Sequence, residues 1–305
     1  MENLRVEPEL QALFAPVLAS LEAERRLIVN RNYNIIFISM AIILLGALFA
    51  FDLEEPGILI GSLILGVICY LVFANKGASA WRDKYKKQVI EAIVKSFFGE
   101  TGQYEPHSGH SEAELMDTKL FDRSPDRYHA EDLIKGKVDK TLICFSEVHA
   151  EYKTTGSKGK TNWHTLFKGF LFTADFNKHF NGRTIIKQKS FWNFLSQGNI
   201  ELENPAFREE FAVYANDPIE ARYILSPALM EKMLQLNKNW GESLAFSFIH
   251  SQVKIAIPMH VDFFEISIWS KLDIQGKWLK DWQIIADLVS VVHDLDLNTR
   301  IWTKE

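Results

Sequence analysis

Residues 32–51, NYNIIFISMAIILLGALFAF, contain no charged side chain, and neither do residues 56–75, PGILIGSLILGVICYLVFAN. At 1.5 Å rise per residue, about 20 residues cover a hydrocarbon core of roughly 30 Å. A core helix of a soluble protein usually carries a polar stripe, and neither run has one. The pair therefore predicts two transmembrane helices. A cleaved signal peptide fits poorly, because the preceding residues are too many and too mixed in charge, with Glu22, Glu24, Arg25, Arg26 and Arg31 among them.

Only Asp52-Leu53-Glu54-Glu55 separates the runs, and Pro56 suits the first position of the second helix. So short a link demands an antiparallel hairpin. Arg25, Arg26 and Arg31 flank its entry, Lys76, Arg82, Lys84, Lys86 and Lys87 its exit, while the turn holds three acids and no base. By the positive-inside rule, both termini are expected in the cytoplasm and the turn outside. In the second helix Gly57 and Gly61 are four apart, as are Ser62 and Gly66. Small residues at that spacing allow close helix packing, within the hairpin or between copies.

Amphipathic helices are expected on both flanks. Leu10, Leu13, Phe14, Val17, Leu18 and Leu21 repeat at helical spacing, with Pro16 expected to kink or split that helix over about residues 8–31. Trp81, Tyr85, Val89, Ala92 and Ile93 mark the second, ending near Gly99. Arg82, Lys84, Lys86 and Lys87 on it either meet anionic lipid or simply set topology on a stalk packed against the first helix.

Three regions follow: a membrane hairpin with flanking helices over 1–98, an acidic linker over 99–131, and a cytoplasmic α+β domain over 132–305. The whole chain of 305 residues has 34 Lys and Arg against 39 Asp and Glu, a net charge of −5 that gives no case for a nucleic-acid partner. In the linker Ser111 and Glu114 form a capping box. Its His107 and His110 read as a solvated loop rather than a metal site. Beyond it, Leu142–Phe145, Val148–Tyr152, Leu166–Thr173 and Thr184–Lys187 are strand-like, with turns at 156–160 and at Asn181-Gly182. Ser226-Pro227 starts a helix running to about Leu236. Leu244–Phe248 and Val253–Ile257 form a hairpin about His250-Ser251. Phe263–Trp269 is expected as a further strand and Lys280–His293 as a last helix. Strands and helices without regular βαβ alternation argue for a mainly antiparallel sheet.

Chemistry is sparse. No glycine-rich nucleotide loop, zinc-binding His-Glu-x-x-His or nucleophile elbow is present. Cys69 and Cys144 suit unpaired thiols in a reducing compartment. Glu147, His149 and Glu151 alternate along one strand, which makes Glu147 and His149 the candidate acid–base pair, against the plainer reading of a solvent face. Asp294, Asp296 and Asn298 mimic a calcium loop but lack its glycine; Leu295, Leu297 and Ile301 read as a strand. Lys178, His179, Arg183, Lys187 and Lys189 gather about Asn181-Gly182 as the candidate surface for lipid phosphate or an acidic partner.

Several stretches carry a resemblance: Phe145-Ser146-Glu147-Val148, Phe167-Lys168-Gly169-Phe170, the turn from Phe176 to Gly182, Asn204-Pro205-Ala206-Phe207 through Tyr214, Asp217-Pro218, Ala221-Arg222-Tyr223 and Leu225-Ser226-Pro227-Ala228-Leu229-Met230. With the hairpin they resemble a bacterial membrane-protein family known as domain of unknown function 3137. The resemblance implies an inner-membrane origin, no established activity and no functional residues to carry over. The expectation is thus a hairpin-tethered domain that binds a protein partner, lipid headgroups or its own copies, without cofactor or metal. A membrane-surface enzyme is the alternative. Residues 99–305 alone are expected to fold as a soluble domain.

Overall fold

The computed structural model describes residues 8–74, 76–156, 159–176, 178–189, 200–241, 243–273 and 276–297. It divides into two compact units, one of residues 1–90 with 265–280, the other of 91–264 with 281–305.

The first unit is built on α1 (Pro8–Asp52) and α2 (Pro56–Phe73). Both are long and apolar enough to cross a membrane, and only 17 % and 6 % of their most apolar stretches are buried. They are therefore not the packed core of this unit. Glu54 takes a left-handed conformation at the end of α1, and the Glu55 amide donates back to the Ala50 carbonyl at 3.1 Å. That six-to-one bond is the Schellman way of stopping a helix. The two helices meet where side chains are smallest. A Cβ on Gly46 would lie 2.1 Å from Ser62 Cβ, and one on Gly66 would lie 2.7 Å from Ile43 Cγ1, whereas Gly57 and Gly61 face open space. Of the four small residues on α2, Ser62 and Gly66 make the hairpin contact.

Pro16 does not split α1. It is exposed near the start of a 45-residue helix, where one lost backbone bond is a small part of the whole. Phe14, Leu18 and Leu21 are buried beneath α3 (Ala78–Tyr85) and a returning segment, residues 265–280. Trp81 Nε1 donates to the Leu21 carbonyl at 2.9 Å and Lys84 pairs with Glu24. Arg25, itself buried, forms an ion pair with Glu22 at 2.7 Å and donates to the Ile268 carbonyl at 2.7 Å; Glu22 also accepts the Leu272 amide at 3.1 Å. Phe14 meets Trp278 with ring centroids 5.0 Å apart. Residues 263–269, expected as a strand, are irregular instead. Phe264 has a left-handed φ of 57°, which ends any extended run, and from Glu265 the chain straps along α1.

The second unit holds α4 (Glu91–Phe98), reached from α3 through a π-helical turn at Lys86–Ile90, and one eight-stranded antiparallel sheet. Its strands are β1 (Gln103–Glu105), β2 (Arg127–Val138), β3 (Thr141–Thr155), β4 (Thr161–Asp175), β5 (Thr184–Gln188), β6 (Phe211–Ala215), β7 (Ala245–Ile249) and β8 (Gln252–Pro258). They lie in the order β1-β2-β3-β4-β8-β7-β5-β6. His250 and Ser251, both at positive φ, make the tight β7–β8 turn. The expected acidic linker, residues 99–131, carries β1, α5 (Glu112–Asp117) and the start of β2. Leu115, Leu120 and Phe121 from it pack on Val148, Ala150, Phe167, Leu171, Ile185, Ala245 and Ala256, one face of the sheet. His110, expected in a solvated loop, is buried there, with Nδ1 2.8 Å from Ser146 Oγ.

Three short helices begin alike. Asn204 caps α6 (Pro205–Glu210), Asp217 caps α7 (Pro218–Ile224) and Ser226 caps α8 (Pro227–Asn239), each side chain accepting a backbone amide and each followed by proline at the first position. These cap–proline pairs are among the stretches that carry the family resemblance, and each starts a helix. The last helix, α9 (Lys277–Asp294), buries Ile284, Ile285, Leu288, Val291 and Val292. Leu295 and Leu297 form a turn closing that helix rather than a strand. Residues 298–305 lie outside the described residues.

Candidate functional site

The two sequence-derived candidates fall on opposite faces of the sheet. Glu147 pairs in register with Phe170 and with Glu131, putting it on the face away from α5. It is not solvent-facing. The carboxylate is buried and accepts the Phe263 amide at 3.0 Å, and the rings of Phe263 and of Phe170, its partner in register, have centroids 5.2 Å apart. Burial first, then the neighbouring Asp262, Asp132 and Glu131, push its pKa up to about 7. Asp262 is held low by Lys168, 2.5 Å away. His149 is half exposed and lies nearest Glu151, at 4.0 Å. Glu147 and His149 thus share a strand face without forming a hydrogen-bonded acid–base pair. Cys144 is held protonated by burial, which pushes its thiol up to about 11 and disfavours a nucleophile.

A pH profile follows from two buried groups. Glu147 sits above its ordinary 4.5, so the folded chain keeps a proton that the unfolded chain releases, and stability falls as pH rises from about 4.5 to 7. His110 is lowered to about 4 from 6.5 by burial, so stability falls as pH drops from about 6.5 to 4. The opposed slopes overlap and largely cancel between about pH 4.5 and 6.5. Glu147→Gln removes one of them, and its stability, followed by thermal melting, should drop on acidification across that window by at most about 1.4 kcal/mol per pH unit. A variant profile as flat as that of the natural chain would mean that Glu147 titrates normally.

On the opposite face, the basic residues around Asn181-Gly182 disperse. The Glu220 carboxylate accepts both backbone amides of that turn, at 2.8 and 2.6 Å, and so sets an acid at its apex. Lys178 Nζ donates to the Tyr223 carbonyl at 2.6 Å and sits over the Tyr223 ring; Lys189 Nζ donates to the Arg208 carbonyl. Lys187, expected beside an exposed turn, is 3 % exposed near the end of β5, with Asp122 at 3.7 Å. His179 and Arg183 remain exposed. The five residues do not form one basic surface.

Two of them instead line a cavity. Arg183, Ile185 and Lys187, with Tyr214, Ala215 and Asn216, form its floor over the β5–β6 end of the sheet, and Lys119, Phe121 and Asp122 form a wall; its volume is about 650 Å³. It lies at the rim of the cluster in which Leu115, Leu120 and Phe121 cover this face, where Ile185 of β5 is buried and Tyr214 of β6 is only partly covered. Three cations and one acid line it, in a chain whose overall charge is negative. Ser247, opposite Ile185 in register and on the same face, is fully buried with no hydrogen-bond partner for its hydroxyl among the described residues. Nothing in the sequence showed this cavity, because Lys119 and Lys187 are brought together only by the sheet.

The elements that frame the cavity from β4 onward coincide with a known family. Residues 165–297 match the family model for a protein of unknown function, DUF3137. No curated protein and no solved structure matches the chain. The DUF3137 match takes in most of β4, β5 to β8, the three cap–proline helices and all of α9. It supplies Arg183, Lys187, Tyr214 and Asn216 of the cavity, while Lys119, Phe121 and Asp122 come from outside it.

The flanking basic residues of the hairpin also separate. Lys86, one of the candidates for lipid or a partner, is buried and pairs with Glu265 at 3.0 Å. Lys84 is paired with Glu24, whereas Arg82 and Lys87 are exposed.

Proposed function

We propose that the chain is a two-pass protein of the bacterial cytoplasmic membrane, with both termini in the cytoplasm, whose DUF3137 region binds an anionic ligand. The exposed apolar surface of α1 and α2 and the acid-only turn between them support the membrane half of this reading. The cavity over β5 and β6 carries the binding half. It presents fixed cations, an amide side chain and an aromatic ring, with no nucleophile–base pair among its lining residues. Glu147, whose carboxyl is pushed up to about 7, is closed over by Phe263 on the other face. Binding is therefore favoured over catalysis.

Reporters fused after Glu305 and into the Asp52–Glu55 turn test the orientation; periplasmic activity only from the turn is expected, and periplasmic activity at the C-terminus overturns it. For the cavity, pyrophosphate added to the detergent-solubilised full chain should raise its melting temperature saturably, by the mass-action stabilisation of about 2.7 kcal/mol at a hundredfold excess over Kd. Lys119→Gln with Arg183→Gln should abolish the rise and leave the unliganded stability within about 0.5 kcal/mol of the natural chain. No rise with either protein removes the phosphate-type ligand and leaves a protein partner or self-association as the binding mode.

A further inference from the structure

The strap from Glu265 to Leu272 ends the apolar hairpin in a way that has a lipid-recognition geometry. Tyr33 lies in the first turn of the uncharged run of α1, at the depth where that run leaves the hydrocarbon. Trp269, far away in sequence, is held against it with ring centroids 5.8 Å apart and an interplanar angle of 71°. Both rings are about half exposed, and exposed Trp and Tyr at this depth make up the aromatic belt of membrane proteins. Leu27, nearly two α-turns nearer the N-terminus, is 71 % exposed and extends the apolar surface towards the N-terminus.

Beside these rings lies an open cavity of about 430 Å³ lined by Arg82, Glu265, Ile266, Ser267, Ile268 and Trp269. Gly77 sits next to Ile28 and Arg31 of α1, so α3 begins about one turn outside the apolar run, and Arg82 follows little more than one turn later. That places the guanidinium about 10 Å from the hydrocarbon edge, within reach of the headgroup layer. Glu265 is already paired with Lys86, and no acid lies within ion-pair distance of Arg82 among the described residues. The Ser267 hydroxyl and the planar guanidinium supply the donors that a phosphodiester needs, and Trp269 and Ile266 supply an apolar flank for the glycerol and upper acyl chain.

We infer that this cavity, formed by Arg82 and the 265–272 strap, holds the headgroup of an anionic phospholipid from the leaflet that the termini face. It is a site distinct from the β5–β6 cavity. It rests on the hairpin lying in a bilayer, and the strap, which the sequence pattern resembled a strand too closely to reveal, is what builds it.

The test uses the full chain. Alkaline carbonate washing of membranes first establishes whether the hairpin is embedded; a chain released by the wash overturns the membrane reading and this inference with it. For an embedded chain, native mass spectrometry in mild detergent, titrated with phosphatidylglycerol and with phosphatidylcholine, reads lipid preference. The natural chain should favour phosphatidylglycerol, and Arg82→Gln should lower that preference about fivefold, the share of one basic group at a membrane surface. Trp269→Ala should weaken both lipids, while Trp269→Phe, which keeps the ring, should restore most of the binding. Equal preference in the natural chain and Arg82→Gln overturns the site. Displacement of bound lipid by millimolar glycerol 3-phosphate overturns the lipid assignment in favour of a soluble phosphate ester.

Discussion

A fragment of residues 99–305 should aggregate or melt without a cooperative transition, contrary to what the sequence suggests. Cutting at 99 removes α1 and α3, against which residues 265–280 are packed. Trp278, Ile268 and Leu272, all buried in the intact chain, then face water, and the Leu272 amide and Ile268 carbonyl lose Glu22 and Arg25. At about 2 kcal/mol for each large apolar side chain the loss is on the order of 5 kcal/mol, comparable with the whole stability of many domains. A more informative companion keeps residues 8–31 and 76–305 and replaces the hairpin with a short Gly-Ser turn, since Gly77 already lies beside Arg31. That variant should be monomeric by sedimentation and unfold cooperatively. A monomeric 99–305 fragment with a sharp melting transition would show that the strap does not need α1.

Gly169→Ala should be the most damaging single methyl group in the sheet. Gly169 lies in β4 at φ 148°, where L side chains are strained, and an added Cβ would sit 2.1 Å from the Ile257 carbonyl oxygen and 2.7 Å from the Met259 amide. Those atoms are backbone, and they cannot withdraw freely: Gly169 is in register with Pro258, and the Met259 amide donates to the Lys168 carbonyl at 2.9 Å. The cost should be at least about 3 kcal/mol, the scale of overpacking combined with a forbidden backbone angle. For a chain of this size that corresponds to a fall in melting temperature of roughly 10 °C, followed by tryptophan fluorescence on the detergent-solubilised protein. Gly61→Ala, with nothing within 4 Å of its new methyl group, is the control and should not lower the melting temperature. A fall of less than about 3 °C for Gly169→Ala would mean that β4 and β8 can part locally.

What the sequence disclosed and what it hid divide along the range of the forces involved. The hairpin was legible because twenty uncharged residues have a meaning independent of context. So were the Ser111–Glu114 capping box and the Ser226-Pro227 helix start, which act within three residues of chain. Asn204-Pro205 and Asp217-Pro218 carry the same local signal and would have revealed α6 and α7. Phe263–Trp269 misled because its alternation is real but one left-handed residue, Phe264, diverts it onto α1. The site residues were the least legible. Lys86 and Lys187 read as solvated charges, yet each is buried, beside Glu265 and Asp122 respectively, partners that are far away along the chain. Glu147 read as a solvent-facing acid until residues 262–263 were placed over it.

The strap also sets an order of events during synthesis. The first unit is discontinuous, taking residues 1–90 from the start of the chain and 265–280 from near its end. Once residue 90 has been made, about 175 more must be translated before the returning segment exists, which at 5–20 residues per second takes roughly 10–35 s. Throughout that interval Phe14, Leu18 and Leu21 on the root of the hairpin lack the segment carrying Trp278 that buries them in the finished chain. The nascent chain therefore carries an uncovered apolar stripe next to the ribosome until translation is nearly over. A holdase chaperone, or the membrane surface itself, is the natural occupant of that stripe while the sheet is being made.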